Sequence, residues 1–485
     1  MRFAIALVLS GCFSPDYGEN FPCGSPPNEC PSDYTCVGGV CKKSDGLGID
    51  APIGLTIDAP PPETGPLRVK VYRPDNTLAV GVTVAFHDPQ GKVIAVTTTD
   101  GNGETENDIT TGGAVTAAFL DADLTPNRLR TVGGLSPNRT LQIGKAVVDD
   151  PLVLTAMVSP PGSPPGGTVL YVYEAGTGAC TAQSGVAPPG PVALPIRQHC
   201  VATGATFNVI AYATDGAGRR LAFSVARGIS TATTAVTLPA WNTAFGSFQL
   251  NLSNAPGATS APCLTDDAGA LQGCAQSAID AYVGGVGFRP ESGKSFPLLP
   301  LGSTTISYRL APGFFDALRY QVSIPYGPTD ADGAALYLHE LVGVPVNDPV
   351  DLGAVLPPRV RNARVDAGTV PFVLRFDADA TPTGMDAFVA EVGWRSIADA
   401  GSPSFRRWLM LLPPGTSSPV RFPELPPQLA AFIAPGFAVE DVSSFFIDFS
   451  TFDGYGAFVN EIGTAVFDDD GIPPGTITVR ASGVF

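Results

Sequence analysis

The sequence predicts an all-β chain built from several domains. Gly and Pro account for 55 and 48 of the 485 residues, and they separate short stretches rich in Val, Thr, Phe and Ala, which are typical of strands. Hydrophobic residues make up 44% and charged residues 15% of the chain, so there is ample apolar material for packed cores. Because single cores stop growing near about 250 to 300 residues, we expect three or four domains.

The chain begins with the pattern of a secretion signal. A short positive region, Met1-Arg2, precedes an apolar stretch from Phe3 to Leu9, and Leu9-Ser10-Gly11-Cys12 follows. This last string resembles the lipobox of bacterial lipoproteins. The resemblance implies that residues 1–11 are a signal peptide and that Cys12 carries acyl chains, palmitate among them, which anchor the protein in the cell envelope. We expect an outer-membrane lipoprotein facing the periplasm or the exterior; an ordinary secretory signal with a chance cysteine is the alternative.

The cysteine count agrees with a lipidated Cys12. Nine cysteines is an odd number, which in an exported protein leaves one thiol to be explained. Without Cys12, the others fall into even groups, predicted to form disulfides: Cys23, Cys30, Cys36 and Cys41; Cys180 with Cys200; and Cys263 with Cys274. Zinc is the alternative for the first group, which however lacks C-x-x-C pairs and a nearby histidine. Within the Cys-rich segment 12–43, the stretch from Cys30 to Cys41 resembles small EGF-like modules found after the anchor in bacterial lipoproteins.

The first large domain follows a Pro-rich linker, residues 44–66, which we expect to be extended. From Leu67 onward apolar and polar residues alternate, as in strands with one buried face. The string Thr99-Asp100-Gly-Asn-Gly103 resembles the T-D-x-x-G hairpin of carboxypeptidase-regulatory-like and bacterial Ig-like sandwiches. The resemblance implies that residues 67–158 form a β-sandwich of that kind.

Related turn strings recur at nearly even spacing along the chain. They are Thr214-Asp215-Gly-Ala-Gly218, Thr329-Asp330-Ala-Asp-Gly333 and Asp453-Gly-Tyr-Gly456. Asp caps such a turn through the main chain and Gly supplies positive φ, so each string predicts a hairpin. We therefore expect tandem β-sandwich modules, which are residues 67–158, 166–255, 256–358 and 359–485. Only the stretch from Asp266 to Tyr282 has a composition that suggests a helix.

Charge and motif content exclude some functions and leave others open. A net charge of −17 without any basic run excludes nucleic-acid partners. His339-Glu340 begins like a zincin motif, but Gly343 stands where the second histidine belongs, so we interpret His339 as an edge histidine of a β module. Acidic pairs such as Asp377 with Asp379 leave a glycosidase open. No cofactor is predicted, with calcium at turns such as Asp100 to Glu104 as the alternative.

Aromatic residues of the last module are the remaining candidates for binding, with core packing as the alternative that the aromatic run favours. The last module holds Trp394 and Trp408, and its aromatic run contains Phe452 and Tyr455, which alternation places away from the core face. We expect a non-enzymatic surface lipoprotein that presents its sandwiches for adhesion or for envelope or glycan binding, with residues 359–485 as the outer, contacting end. Its partners would be the membrane and an unknown surface protein or glycan. The alternatives are a lipid-tethered hydrolase acting on extracellular polymer and a passive envelope spacer or assembly component.

Overall fold

A computed structural model gives two compact units, Met1–Pro62 and Glu63–Phe485. The residues that the structure describes are 21–22, 34–37, 40–43, 62–73, 77–119, 127–144, 151–175, 181–186, 190–201, 204–254, 264–265, 271–272, 275–283, 287–296, 303–311, 317–326, 332–342, 345–366, 371–380, 382–395, 405–430, 432–433, 437–461 and 478–484. The predicted signal peptide and most of the predicted linker lie outside them. Among the described residues, no helix is both long and apolar enough to cross a bilayer.

The first unit contains a small sheet. Its described strands are β1 (Phe21–Pro22), β2 (Tyr34–Val37) and β3 (Val40–Lys43), in the spatial order β1-β3-β2. β2 and β3 pair as an antiparallel hairpin in which Cys36 is opposite Cys41. Two of the four cysteines predicted to form disulfides in this segment are therefore direct cross-strand neighbours.

The second unit confirms the all-β prediction, because it consists mostly of strands in packed pairs of sheets. The strands of its first sandwich are β4 (Thr64–Val71), β5 (Thr83–His87), β6 (Val93–Thr98), β7 (Glu104–Thr110), β8 (Gly113–Phe119), β9 (Asn127–Leu135) and β10 (Arg139–Ile143). One layer has the order β10-β4-β7, and the other contains β9-β8-β5-β6. Leu67, Val69 and Val71 of β4 are fully buried between the layers, as the alternation predicts.

The second sandwich pairs a three-stranded with a four-stranded layer. Its strands are β11 (Leu152–Ser159), β12 (Leu170–Ala175), β13 (Thr181–Val186), β14 (Val192–Arg197), β15 (Thr206–Thr214), β16 (Arg220–Ser230) and β17 (Ala235–Thr237), with a 3-10 helix at Gln198–Cys200. The layers have the orders β14-β11-β17 and β13-β12-β15-β16. Buried residues such as Val158 of β11 and Tyr173 of β12 share the core between them.

The third sandwich repeats this arrangement. Its elements are β18 (Gly246–Ser253), β19 (Leu264–Thr265), β20 (Leu271–Gln272), β21 (Ala275–Val283), β22 (Gly287–Phe296), β23 (Ser303–Leu310), β24 (Ala317–Pro325), β25 (Ala334–Val342), β26 (Asn347–Asp351) and the helical turn α1 (Leu352–Val355). The layer β23-β18-β26 packs against β22-β21-β24-β25 through residues such as Phe248 and Tyr320. These residues belong to the same core cluster as the second sandwich, so the two sandwiches share one apolar interior.

The fourth sandwich completes the unit. Its elements are β27 (Val360–Val365), β28 (Val373–Ala378), β29 (Ala387–Arg395), β30 (Phe405–Leu412), β31 (Val420–Arg421), α2 (Pro427–Ala430), β32 (Ala438–Phe449), α3 (Gly454–Glu461) and β33 (Thr478–Val484). The layer β27-β28-β31 covers one face of β29, β30 and β32. The opposite face of these strands packs into the core of the first sandwich, so both faces are buried.

One twelve-stranded sheet joins three of the four sandwiches. Its order is β22-β21-β24-β25-β33-β32-β29-β30-β9-β8-β5-β6. β33 pairs antiparallel with β25 of the third sandwich, and β30 pairs parallel with β9 of the first. The fourth sandwich therefore lies between the third and the first. The expectation that residues 359–485 form a free outer end is wrong, because the chain returns to pair its last strands with its early ones.

Several local expectations are corrected. β11 and β18 pair with strands of the second and third sandwiches, although the predicted boundaries after residues 158 and 255 place them one module earlier. Residues described within Asp266 to Tyr282 form strands β20 and β21 rather than a helix, since β24 and β22 flank β21 and supply its hydrogen bonds. The turn at Asp453 leads into helix α3 and not into a hairpin.

Candidate functional site

Trp394 and Trp408 lie in the core of the fourth sandwich. Both side chains are 0% exposed. The ring of Phe372 lies 5.3 Å from the ring of Trp394 and 6.2 Å from that of Trp408, measured between centroids. Because β27, β28 and β31 cover this face of the sheet, the two indoles contact other core residues. The expectation that they bind a partner at the surface is therefore wrong.

A buried chain of hydrogen bonds links Trp408 to the first sandwich. Trp408 Nε1 donates to Thr131 Oγ1 at 2.8 Å, Thr131 Oγ1 lies 2.8 Å from Thr116 Oγ1, and Thr116 Oγ1 lies 2.9 Å from His87 Nε2. An indole N–H only donates, so Thr131 accepts from Trp408, whereas the two hydroxyls and His87 Nε2 can each donate or accept in the other two bonds. Burial lowers the pKa of His87 to about 4. The neutral imidazole is thus the form present at neutral pH.

Phe452 and Tyr455 fill the joint between the first and fourth sandwiches. The half-buried Phe452 ring lies 5.7 Å from the ring of Phe449, centroid to centroid, and packs against the core of the first sandwich. Tyr455 Oη donates to the carbonyl of Gly133 in β9 at 2.7 Å and lies 3.2 Å from the carbonyl of Leu411 in β30. Burial raises the pKa of Tyr455. Both residues, proposed from the sequence for binding, therefore serve to hold two sandwiches together.

His339 and Glu340 lie within the twelve-stranded sheet. His339 is in a strand, as predicted, but β25 is an interior strand flanked by β24 and β33. Its Nδ1 lies 2.9 Å from Thr478 Oγ1, and its ring stacks on Tyr337 with centroids 6.0 Å apart. Burial raises the pKa of Glu340. In the described part of the chain, no group of three or more His, Cys, Asp or Glu residues is placed to hold a metal ion.

The aspartates of the hairpin turns bond to the main chain. Asp100 Oδ1 accepts hydrogen bonds from the main-chain N–H groups of Asn102 and Glu104, each at 2.9 Å. Asp215 makes the same pair of bonds, and so does Asp88, which the sequence analysis did not single out. Main-chain hydrogen bonds hold the pKa of Asp100 and of Asp215 below the usual range. Turn formation accounts for the position of these carboxylates.

The acidic residues considered for a hydrolase lie on the hairpin of β27 and β28. Asp379 forms an ion pair with Arg361 at 3.0 Å, and Asp377 accepts a hydrogen bond from Asn362 Nδ2 at 2.8 Å. These contacts pair each carboxylate with a polar neighbour on the surface of its own hairpin.

One predicted disulfide cysteine has a described side chain. Cys200 is fully buried and disulfide-bonded. Its predicted partner, Cys180, lies outside the described residues, and so do Cys12, Cys23, Cys30, Cys263 and Cys274. The pairing of Cys180 with Cys200 therefore stays a prediction, as do the others.

An open cavity of about 660 Å³ lies where the second and third sandwiches meet. Arg219 and Arg220 reach it from the start of β16, and Arg309 reaches it from β23. Phe245 and Ser247, just before and within β18, also line it. The cavity thus combines cations, an aromatic ring and hydroxyl groups, which are the groups that bind small polar ligands.

Rings and main-chain groups hold the arginines of this cavity. Arg309 Nη1 donates to the carbonyl of Arg220 at 2.9 Å, and its guanidinium carbon lies 3.9 Å from the centroid of the Phe245 ring. The guanidinium of Arg220 lies 4.1 Å from the Tyr212 ring centroid. Arg219 forms an ion pair with Asp215 at 3.0 Å. We call this group of Arg219, Arg220 and Arg309 the arginine cluster.

Sequence reasoning missed the arginine cluster. The signal that could have found half of it is Arg219-Arg220, two adjacent cations directly after a predicted hairpin in a strongly acidic chain. Arg309 is 89 residues further on, and only strand pairing brings it to the same cavity. A sequence without its fold gives no indication of that contact.

No protein-family model matches the chain, and no curated protein is similar to it. Among solved structures, the Bacillus anthracis TIE protein is 9% identical, over 59% of this chain and 50% of that one, with a TM-score of 0.14. The major pilin subunit BcpA of Bacillus cereus is 10% identical, over 60% of this chain and 99% of that one, also with a TM-score of 0.14. Two B repeat units of the collagen-binding protein of Staphylococcus aureus are 8% identical, over 72% of this chain and 99% of that one, with a TM-score of 0.12. This chain spans half the length of the first of these.

Proposed function

We propose that this chain is a cell-envelope lipoprotein, anchored through Cys12, whose β-sandwiches bind a surface glycan or protein. The cavity that holds the arginine cluster carries the proposal. It is a concave surface with charged, aromatic and hydroxyl groups, which a passive spacer does not need.

The architecture supports a binding role. The second and third sandwiches share one core, and the third, fourth and first share one sheet, so the cavity is mounted on a rigid base. A binding group held on rigid elements loses little conformational entropy when its partner arrives. The lipobox-like string Leu9-Ser10-Gly11-Cys12 supplies the reason for exposure at the envelope.

Two measurements test the proposal. The full-length chain, reconstituted in lipid vesicles, is offered to a panel of neutral and acidic envelope polysaccharides and to whole cells, and we expect saturable binding to at least one surface. Cys12→Ala is expected to release the protein from the membrane fraction of expressing cells, because the acyl anchor is lost. Failure of the protein to bind any glycan or cell contradicts the binding role. Retention of the Cys12→Ala protein in membranes contradicts the anchor.

A further inference from the structure

Three cations converge on one cavity in a chain that carries far more acid than base. The chain has 28 Lys and Arg residues against 45 Asp and Glu, yet no acidic residue is among the described residues lining this cavity. Asp215, which does not line the cavity, balances the charge of Arg219 through their ion pair. Arg309 Nη1 donates to the main-chain carbonyl of Arg220, and both residues line the cavity. A cavity whose described lining contains arginines and no carboxylate favours an anionic group.

Arg309 is the residue best prepared to hold that group. Its contact with the Phe245 ring fixes the plane of the guanidinium, and one of its five N–H groups bonds to the carbonyl of Arg220. Among the described residues it makes no ion pair. A guanidinium fixed in this way presents N–H groups with the spacing of the two oxygens of a carboxylate.

The rest of the lining indicates what carries the anion. The hydroxyls of Ser247 and Thr243 both donate and accept, as the hydroxyls of a sugar do, and the half-buried Phe245 ring offers an apolar surface. A net charge of −17 repels a densely charged polymer, whereas one isolated carboxylate feels mainly the nearby arginines. We propose, on the basis of the binding role above, that this cavity binds a sugar bearing a single carboxylate within an otherwise neutral glycan.

The test uses the full-length chain and matched probes. The probes are a neutral oligosaccharide ending in glucuronic acid, the same oligosaccharide with its carboxyl group reduced to an alcohol, and a short peptide ending in glutamate. Calorimetry is expected to show that reduction of the carboxyl weakens binding about 10- to 100-fold, the range for a charge-assisted bond. Arg309→Gln should weaken binding of the acidic probe by the same factor and leave the reduced probe unaffected. The control, Arg68→Gln, removes an exposed arginine of the first sandwich and should change neither.

Each other outcome overturns part of the reasoning. If the acidic and reduced probes bind equally well, the carboxylate is not what the protein recognises. If a folded Arg309→Gln variant binds the acidic probe as tightly as the wild type does, binding does not take place in this cavity. If the peptide binds as tightly as the acidic oligosaccharide, the claim that the ligand is a sugar is contradicted. Binding of only neutral glycans contradicts this inference but leaves the proposed function standing, whereas no binding to any envelope surface contradicts both. Thermal unfolding of each variant confirms that it is folded.

Discussion

The hydrogen bond from Trp408 to Thr131 joins the fourth sandwich to the first, and Thr131→Val removes it. Valine has nearly the shape of threonine but no hydroxyl. The variant deprives the Trp408 indole N–H of its acceptor and the Thr116 hydroxyl of one neighbour. All three side chains are 0% exposed, so water cannot take the place of the lost hydroxyl without opening the core.

The expected loss of stability follows from these contacts. A buried donor left without an acceptor costs about 1 to 3 kcal/mol, and the broken bond to Thr116 adds about 1 kcal/mol. The methyl group of valine recovers about 0.8 kcal/mol through burial. We therefore expect Thr131→Val to lower the free energy of unfolding by about 2 kcal/mol.

A double-mutant cycle isolates the bond between the sandwiches. Urea unfolding, followed by circular dichroism, is measured for the wild type, Thr131→Val, Trp408→Phe and the double variant. In the Trp408→Phe background no indole N–H is left unsatisfied, so Thr131→Val should cost less there, with a coupling energy of about 1 to 2 kcal/mol. A coupling below about 0.3 kcal/mol would show that the two side chains do not touch and would refute the pairing of β30 with β9.

Three further predictions concern titration and the joint between the sandwiches. Burial holds the pKa of His87 at about 4 in the folded protein, against 6.5 in the unfolded chain. The neutral ring therefore contributes up to about 3 kcal/mol to the free energy of unfolding above pH 6.5, and this contribution is lost as the pH falls toward 4. Urea unfolding at pH 7 and pH 4.5 should show that His87→Gln loses less free energy of unfolding between these pH values than the wild type does. Equal losses in the two proteins would contradict a buried, neutral His87. Burial raises the pKa of Asp386 from 3.8 to about 6. The protonated carboxyl therefore stabilises the fold below pH 3.8, and this stabilisation is lost as the pH rises through 6. Asp386→Asn should therefore gain stability over the wild type at pH 7 but not below pH 4, and the same gain at both would count against this reasoning. Tyr455→Phe should cost about 1 to 2 kcal/mol and speed amide exchange in β9, and unchanged exchange would mean that its hydroxyl does not hold the joint.

The strands were predictable from the sequence where one face of a sheet is buried. Leu67, Val69 and Val71 alternate with more exposed residues, and that pattern is local. The joining of sandwiches was not predictable, because main-chain pairing between β9 and β30 has no side-chain signature. Thr131 and Trp408 are 277 residues apart in the chain. β29 does carry a trace of its double burial, since its residues from Ala387 to Trp394 are almost all buried and read as one apolar run.

The candidate binding residues show a second limit of the sequence. An aromatic residue in a core and one at a binding surface look the same in a sequence, and only the covering sheet shows that Trp394 and Trp408 are buried. The Pro- and Gly-rich stretch from Ser159 to Gly167, between the first two predicted modules, marks a loop but not whether a domain ends there, so β11 was placed in the wrong sandwich. The arginine cluster needed the fold, because β23 brings Arg309 beside Arg220.

The central structural claim is that the last sandwich packs against the first, and a cross-link between β10 and α3 tests it most directly. Arg139 of β10 donates a hydrogen bond to Asn460 of α3. Both positions are replaced by cysteine in the full-length chain, which is treated with a short bismaleimide and digested, with the single variants as controls. We expect one dominant product that joins the peptide containing position 139 to the peptide containing position 460. Two separately modified peptides without a linked product would contradict the packing of the first and fourth sandwiches.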